Sequence, residues 1–358
     1  MGKAVYKMLV LNPGSTSTKV AVYENDQPVF VRSVTHTEKD LAEFTKVADQ
    51  YDYRRNLVMQ MLKENGVRLS DLDAVVSRGG LFAPIQGGAY EVNEDMVWKF
   101  RNEPMADHAS NIGALIAYSL KQELGIPAFI YDGITVDEMD EVNRITGLPG
   151  IERSGFCHTL NTRAAARRWA AENGRAYEDV TVIVAHLGGG ITINLHTNGY
   201  IADVVSDDEG PFSPERAGGL PAVEFSKLCF SGKYTLTEVN RLLNRKGGLN
   251  AYFGTKDTRE VEAMADAGDT KAALVYEAMA LAIAKNIAKL APDVAGRVDA
   301  VILTGGIAHS ARITDYVKKR VEFIAPVTVY PGEDEMLALA NGCLRVLKGQ
   351  ENARVYTR

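Results

Sequence analysis

Apolar residues in this chain gather into short runs that end in glycine, and these runs alternate with stretches of helical period. Residues 9–11 (LVL) and 20–23 (VAVY) flank the turn NPGSTSTK, which predicts two strands joined as a hairpin. Leu41, Phe44, Val47, Ala48, Leu57, Val58, Met61 and Leu62 recur at near-helical spacing and predict a long helix. Residues 73–77 (DAVVS) predict a strand that delivers Arg78 ahead of Gly79 and Gly80. A helix is expected over 106–124, capped by Asp107 or Ser110 and stopped by Gly125, and then a strand over 128–131 that delivers Asp132. The middle of the chain repeats the opening: an apolar strand over 182–185, the turn HLGGG over 186–190 and a return strand over 191–196. A further strand over 298–303 ends in Thr304-Gly305-Gly306, with a helix expected after it. Strands alternating with helices predict an α/β fold. A glycine hairpin in each half predicts two duplicated domains facing each other across a cleft.

The first turn carries candidate chemistry. Asn12, Gly14, Ser15, Ser17 and Lys19 surround one turn of backbone, and hydroxyls, amides and a cation together suit a phosphate. The turn is not a Walker A loop, because it lacks the second glycine and leads into a strand where a P-loop opens a helix. The composition adds little to this picture. The 358 residues are 46% hydrophobic and 24% charged, with a net charge of −6, which leaves no electrostatic footprint for nucleic acid or an anionic membrane. Cys157, Cys229 and Cys343 are too far apart for a CxxC metal or redox motif. Residues 272–291 are the longest apolar stretch, but Glu277, Lys285 and Lys289 make it a buried or interface helix rather than a membrane span. The opening MGKAVYK lacks an apolar signal core, and Tyr6 stands where N-myristoylation needs Ser or Thr, so a cytoplasmic protein is expected. The breaker-rich segment 145–153 is the hinge candidate, and residues 349–358 are a polar tail.

The ordered set NPGSTSTK, SRGG, DHASN, GFCHTLN, HLGGGIT, EGPFSPERAG, GTKDTRE, LTGGIAHS and PGEDEMLALA resembles the acetate and butyrate kinase family, within the superfamily of sugar kinases, Hsp70 and actin. The match runs from about residue 8 to 347 and is closer to the butyrate branch, since HLGGG and PERAG stand where acetate kinases carry HLGNG and GTRSG. The resemblance implies two ribonuclease-H-like domains around a nucleotide cleft: residues 1–150 on the carboxylate side, rejoined by 337–358, and 151–336 on the nucleotide side. It implies ATP-dependent, reversible phosphorylation of a short-chain fatty acid, butyrate, to its acyl phosphate by direct in-line transfer. ATP or ADP and Mg²⁺ are the implied cofactors, and a homo-oligomer binding neither nucleic acid nor membrane is the implied state.

The resemblance also assigns residues. Arg78 and Arg216 would clamp the carboxylate or the moving phosphoryl group, a task for which a guanidinium fork is better shaped than lysine. His158 would stabilise the phosphoryl in flight, although Cys157 stands before it where the butyrate branch more often has Phe. His108 and His186 match positions near the phosphates. Asp132 and Glu335 are the Mg²⁺ candidates. Asp334 is a rival to Glu335, because Met336 replaces a second acid often found there. Asn12, Ser15, Ser17, Lys19, His186, Gly188, Gly189 and Gly190 would hold phosphates, while Asp257, Arg259, Gly305 and Gly306 would line the nucleoside. A carboxylate acceptor, with a pKa of about 4–5, is already ionised at neutral pH, so the site needs cations and alignment rather than a general base. Acetate, propionate or branched-chain acids are the alternative acceptors. A non-enzymatic actin- or Hsp70-like ATP switch would not need the arginine pair, and a sugar kinase would use Asp132 as a base.

Overall fold

The run before the first glycine turn folds as β1 (Lys7–Pro13), antiparallel to β2 (Ser17–Glu24), which pairs with β3 (Gln27–Thr35). On its other edge β1 runs parallel to β4 (Ala74–Arg78), and the sheet continues through β5 (Ala89–Glu91) and β6 (Ala128–Tyr131), with β6 parallel to β4 and β5 antiparallel to β6. β1 is buried from Met8 to Pro13, which is why it reads as an unbroken apolar run rather than an alternating one. One side of this sheet packs Leu9, Leu11, Val20, Val22 and Val75 against Ile112, Ile116 and Leu120 of the helix Ser110–Leu124. In this computed structural model residues 3–358 are described; Met1 and Gly2, on which part of the reading of the opening segment rests, lie outside the described residues.

The second sheet repeats the plan. β7 (Val182–Leu187) is antiparallel to β8 (Ile191–Thr197), β8 to β9 (Tyr200–Val205), and β7 runs parallel to β10 (Ala300–Gly305), which is followed in parallel by β11 (Val327–Pro331). The strand order β10-β7-β8-β9 thus matches β4-β1-β2-β3, with the same directions. The fold is α/β with duplicated ribonuclease-H-like sheets. The helix Thr270–Leu290 buries Val275, Tyr276, Met279, Ile283 and Ile287 in the core of this unit and leaves Glu277, Lys285 and Lys289 exposed. After β11 the helix Glu335–Leu347 returns to the first sheet, and β12 (Arg354–Val355) pairs with β5 to complete the order β12-β5-β6-β4-β1-β2-β3. The chain up to Asp137 with Asp334–Arg358 forms one compact unit, and Glu138–Glu333 forms the other.

Several elements differ from the sequence reading. The helix expected between Leu41 and Leu62 is split into Glu38–Leu41 and Tyr51–Glu64, the latter entered through a tight turn Val47–Gln50. The amides of Lys46 and Val47 are taken by the carboxylates of Asp49 and Asp107, which starts a new helix there. Asp107 is therefore not the cap of the next helix. That helix starts at Ser110, whose amide is accepted by His108 Nδ1 at 3.2 Å. β10 begins two residues later than expected, and the tight turn Gly306–His309 separates it from the helix Ala311–Val321. The segment 145–153 lies inside the second unit, where Ile145 bridges Glu152 and Arg153 pairs with Asp203 at 3.0 Å and Glu209 at 2.8 Å. Among the described residues no helix is long and apolar enough to cross a membrane.

The returning helix is locked to the strand that leads to Asp132. A Cβ built on Gly342 would lie 2.5 Å from the Tyr131 ring, and that ring is held at its hydroxyl by Arg345 Nη2 at 2.5 Å and Glu351 Oε2 at 2.9 Å. With no room to yield, Gly342→Ala is expected to cost about 1–3 kcal/mol of stability. Urea unfolding checks this, and an unchanged midpoint would show that the contact relaxes freely.

Candidate functional site

Both hairpins place a polar side chain next to the end of an apolar strand. In the first unit this residue is Asn12, in register with Lys19 across the hairpin and buried to 6% exposure. Asn12 Nδ2 donates to Glu335 Oε2 at 2.6 Å, and Arg78 Nη1 pairs with Glu335 Oε1 at 2.5 Å. Glu335 opens the helix Glu335–Leu347, while Asp334 caps it by accepting the Leu337 amide at 2.9 Å. Between the two metal candidates of this motif, Glu335 is therefore the one joined to Arg78 and Asn12. Gly14 N–H closes the turn on the Ser17 carbonyl at 2.8 Å, Ser15 is exposed, and Ser17 and Lys19 are half-buried. Asp132 follows β6 directly, beside the end of β4, in a left-handed conformation (φ 41°), and its Oδ1 accepts the Gly88 amide at 2.8 Å. His108 is held below its ordinary pKa by burial first, then by the charges of Arg78 and Arg54.

In the second unit the residue at the matching place is His186. Its ring stacks on that of His158, with centroids 4.2 Å apart and planes 23° from parallel, and His158 Nδ1 shares a 3.0 Å hydrogen bond with Thr192 Oγ1. His186 Nε2 stands 3.6 Å from Glu333 Oε2, and Glu333 accepts Asn161 Nδ2 at 3.1 Å. Arg216 pairs through Nε with Asp207 at 2.9 Å and through Nη1 with Asn244 Oδ1 at 2.7 Å. Gly190 is where these groups converge: a Cβ there would lie 2.8 Å from Asp207 Oδ2, 3.3 Å from Arg216 Nε and 3.5 Å from His158 Cε1. Burial pushes the Asp207 carboxyl up, and the Arg216 guanidinium opposes that rise. Asp207 and Glu333 were not among the sequence candidates. Asp207 had a usable signal, since it ends the run VVSD after an apolar strand, as Asp132 does after β6.

The same turn opens into a cavity of about 1100 Å³ lined by Gly188, Gly189, Asp257, Arg259, Gly306 and Ser310, among others. Asp257 caps the helix Thr258–Asp266 and forms an ion pair with Arg259 at 2.6 Å, which draws its pKa down to about 2. Glu215 and Lys256, paired at 3.1 Å, stand on the rim. Gly305 ends β10 at the same edge as Leu187 of β7, outside that lining. Among the described residues no group of three or more His, Cys, Asp and Glu side chains gathers to hold a metal by itself. Mg²⁺ needs only one or two carboxylates beside phosphate oxygens and water, and each Glu335 oxygen keeps a lone pair beyond its present donor.

The Acetokinase family model matches residues 143–331. The chain is 46% identical to butyrate kinase 2 of Clostridium acetobutylicum over 353 residues, covering 98% of this chain and 99% of that one. It is 45% identical to butyrate kinase 1 of the same organism over 354 residues, covering 98% and 100%. Among solved structures, the acetate kinase of Porphyromonas gingivalis shares the fold with a TM-score of 0.81 at 22% identity, over 96% of this chain and 100% of that one.

Cys157, next to His158, accepts Asn194 Nδ2 at 3.0 Å and shares a 3.3 Å contact with Thr159 Oγ1; burial nonetheless pushes its thiol up to about 12. Cys343 is buried, and Cys157 is half-buried. At pH 8 both are expected to stay protonated and inert, leaving Cys229 as the thiol that reacts with a disulfide reagent in the native protein. Rapid labelling of Cys157, read by peptide mass spectrometry, would contradict this assignment.

Proposed function

This chain belongs to the acetokinase family, and from that premise we propose that it transfers the γ-phosphoryl group of ATP to a short-chain fatty acid, with butyrate the favoured acceptor. The observation that carries the reading is the near full-length likeness to proteins named butyrate kinase, at 46% and 45% identity. The side chains fit the chemistry. The acceptor carboxylate is ionised at neutral pH, so the barrier lies in bringing one anion onto another. Two arginines on glycine-rich turns, Arg78 and Arg216, answer that need. Each is held by a carboxylate, Glu335 and Asp207 respectively, which fixes the guanidinium before any substrate arrives. His158 is oriented by Thr192 and by the His186 ring.

Within this reading Arg78 binds the acceptor carboxylate, Asn12 and Lys19 bind phosphate oxygens, and Arg216 with His158 stabilises charge on the transferring group. Ser15, Ser17, His186 and Gly188–Gly190 surround phosphate, with Gly190 leaving space beside Arg216 that a side chain would fill. The cavity bordered by Asp257, Arg259 and Gly306 takes the nucleoside. Glu335, with Asp132, would hold Mg²⁺, which when bound neutralises phosphate charge. Since the nucleophile needs no deprotonation, Asp132 has no proton to take, which separates this reading from that of a sugar kinase. The reaction is reversible, because an acyl phosphate can return its phosphoryl group to ADP.

Purified protein with Mg·ATP is expected to convert butyrate to an acyl phosphate that hydroxylamine traps as the hydroxamate. A panel of C2–C6 acids ranks the acceptors, each methylene being worth about 1–3 kcal/mol in an apolar pocket. No hydroxamate with any acid would overturn the reading, and a maximum at acetate or propionate would move the specificity within it. Arg78→Ala and Arg216→Ala are each expected to lower kcat by about 10²-fold or more, as for a lost electrostatic contact to the transition state. Near-native turnover of either variant would remove that residue from the chemistry.

A further inference from the structure

Behind the first hairpin lies a cation that no acid among the described residues neutralises. Arg54, on the helix Tyr51–Glu64, is 0% exposed. Its Nε donates to Gln50 Oε1 at 2.9 Å, and its Nη1 donates both to the Ser17 carbonyl at 3.0 Å and to Thr18 Oγ1 at 2.9 Å. Its Nη2 is buried with no hydrogen-bond partner, and among the described residues no carboxylate pairs with it. Burying a guanidinium without a counter-charge is costly, so a fold that keeps one has another use for its charge.

The neighbouring hydrogen bonds keep that charge single and fixed. Thr18 Oγ1 accepts from Arg54, so its own proton is free to go to His36 Nε2, 2.8 Å away, and His36 Nδ1 then donates to the Tyr53 hydroxyl at 3.1 Å. A neutral imidazole satisfies both of these partners, and burial and then Arg54 hold the His36 pKa below its ordinary value. The Ser17 carbonyl that receives Arg54 is the one that accepts Gly14 N–H and closes the turn. The charge also reaches His108, which sits near Arg78.

We propose that Arg54 is a positioning residue for the phosphate hairpin: a buried, uncompensated cation that fixes the Ser17–Thr18 backbone and gives the turn the positive potential a nucleotide phosphate needs. The proposal rests on reading the Asn12–Lys19 turn as a phosphate site and adds the residue that charges it from behind. Arg54 touches no reacting atom, so its removal acts on binding more than on the chemical step.

The test compares Arg54→Gln, which removes the charge, with Arg54→Lys, which keeps it, in the full-length protein. Calorimetry with Mg²⁺ and the non-hydrolysed analogue AMP-PNP reads binding, and imidazole NMR reads His108. Arg54→Gln is expected to weaken AMP-PNP about tenfold and to raise the His108 pKa; Arg54→Lys is expected to stay within about threefold of wild type with His108 unmoved. Wild-type affinity in Arg54→Gln overturns the proposal, and so does an equal loss in both variants, since that would leave the charge no part in phosphate binding. If Arg54→Gln does not fold, Arg54→Lys decides alone: affinity within about threefold supports the role of the charge, and a loss of about tenfold overturns it. An absence of AMP-PNP binding by the wild type overturns the phosphate reading itself, and the proposal with it.

Discussion

One carboxylate organises the polar cluster of the first unit. Glu335 accepts a hydrogen bond from Asn12 at the end of β1 and pairs with Arg78 at the end of β4, residues that lie 323 and 257 positions away in the chain. Arg78 and Glu335 are both largely shielded from water, so each depends on the other: deleting one would leave an uncompensated charge in a poorly solvated place. That pairing ties the start of the C-terminal helix to the first sheet, and farther along the helix Gly342 packs closely on Tyr131. The same carboxylate, with spare lone pairs, is well suited to a hard cation when phosphates are present.

The second unit uses the same frame with different side chains. A buried strand, a glycine turn and an antiparallel return strand recur with a parallel neighbour on the same side. Where the first unit has Asn12, the second has His186, stacked on His158. Where Arg78 is held by Glu335, Arg216 is held by Asp207. Each arginine is thus oriented by a carboxylate in the structure, which would lower the ordering cost of binding an anion. Gly190 shows how tight the second arrangement is, since any side chain there would collide with Asp207.

What could be read in the chain was local. Strand ends that deliver Arg78, Asp132 and His186 are marked by an apolar run followed by glycine or a polar residue, and the repeat of that mark in each half exposed the duplication. The nine ordered motifs carried the family. Features made by distant segments left no such mark. The Glu335–Arg78 pair, the use of Asp107 to start a helix sixty residues upstream, and the choice of Glu335 over Asp334 all depend on tertiary contacts. Asp207 carries the strand-end mark, but only its 2.9 Å pairing with Arg216 shows its place in the site. Arg54 was invisible, because one arginine in a polar helix reads as a surface charge until its burial is seen.

In the proposed reaction an already ionised carboxylate attacks the γ-phosphoryl group directly, with arginines and a fixed carboxylate frame taking the place of a base or a covalent enzyme intermediate. The stereochemical course at phosphorus tests it most directly. With ATP made chiral at the γ-phosphorus by oxygen isotopes, a single in-line transfer to the acid predicts inversion of configuration in the acyl phosphate. Retention would require two successive transfers, through a phosphorylated side chain, and would contradict the account.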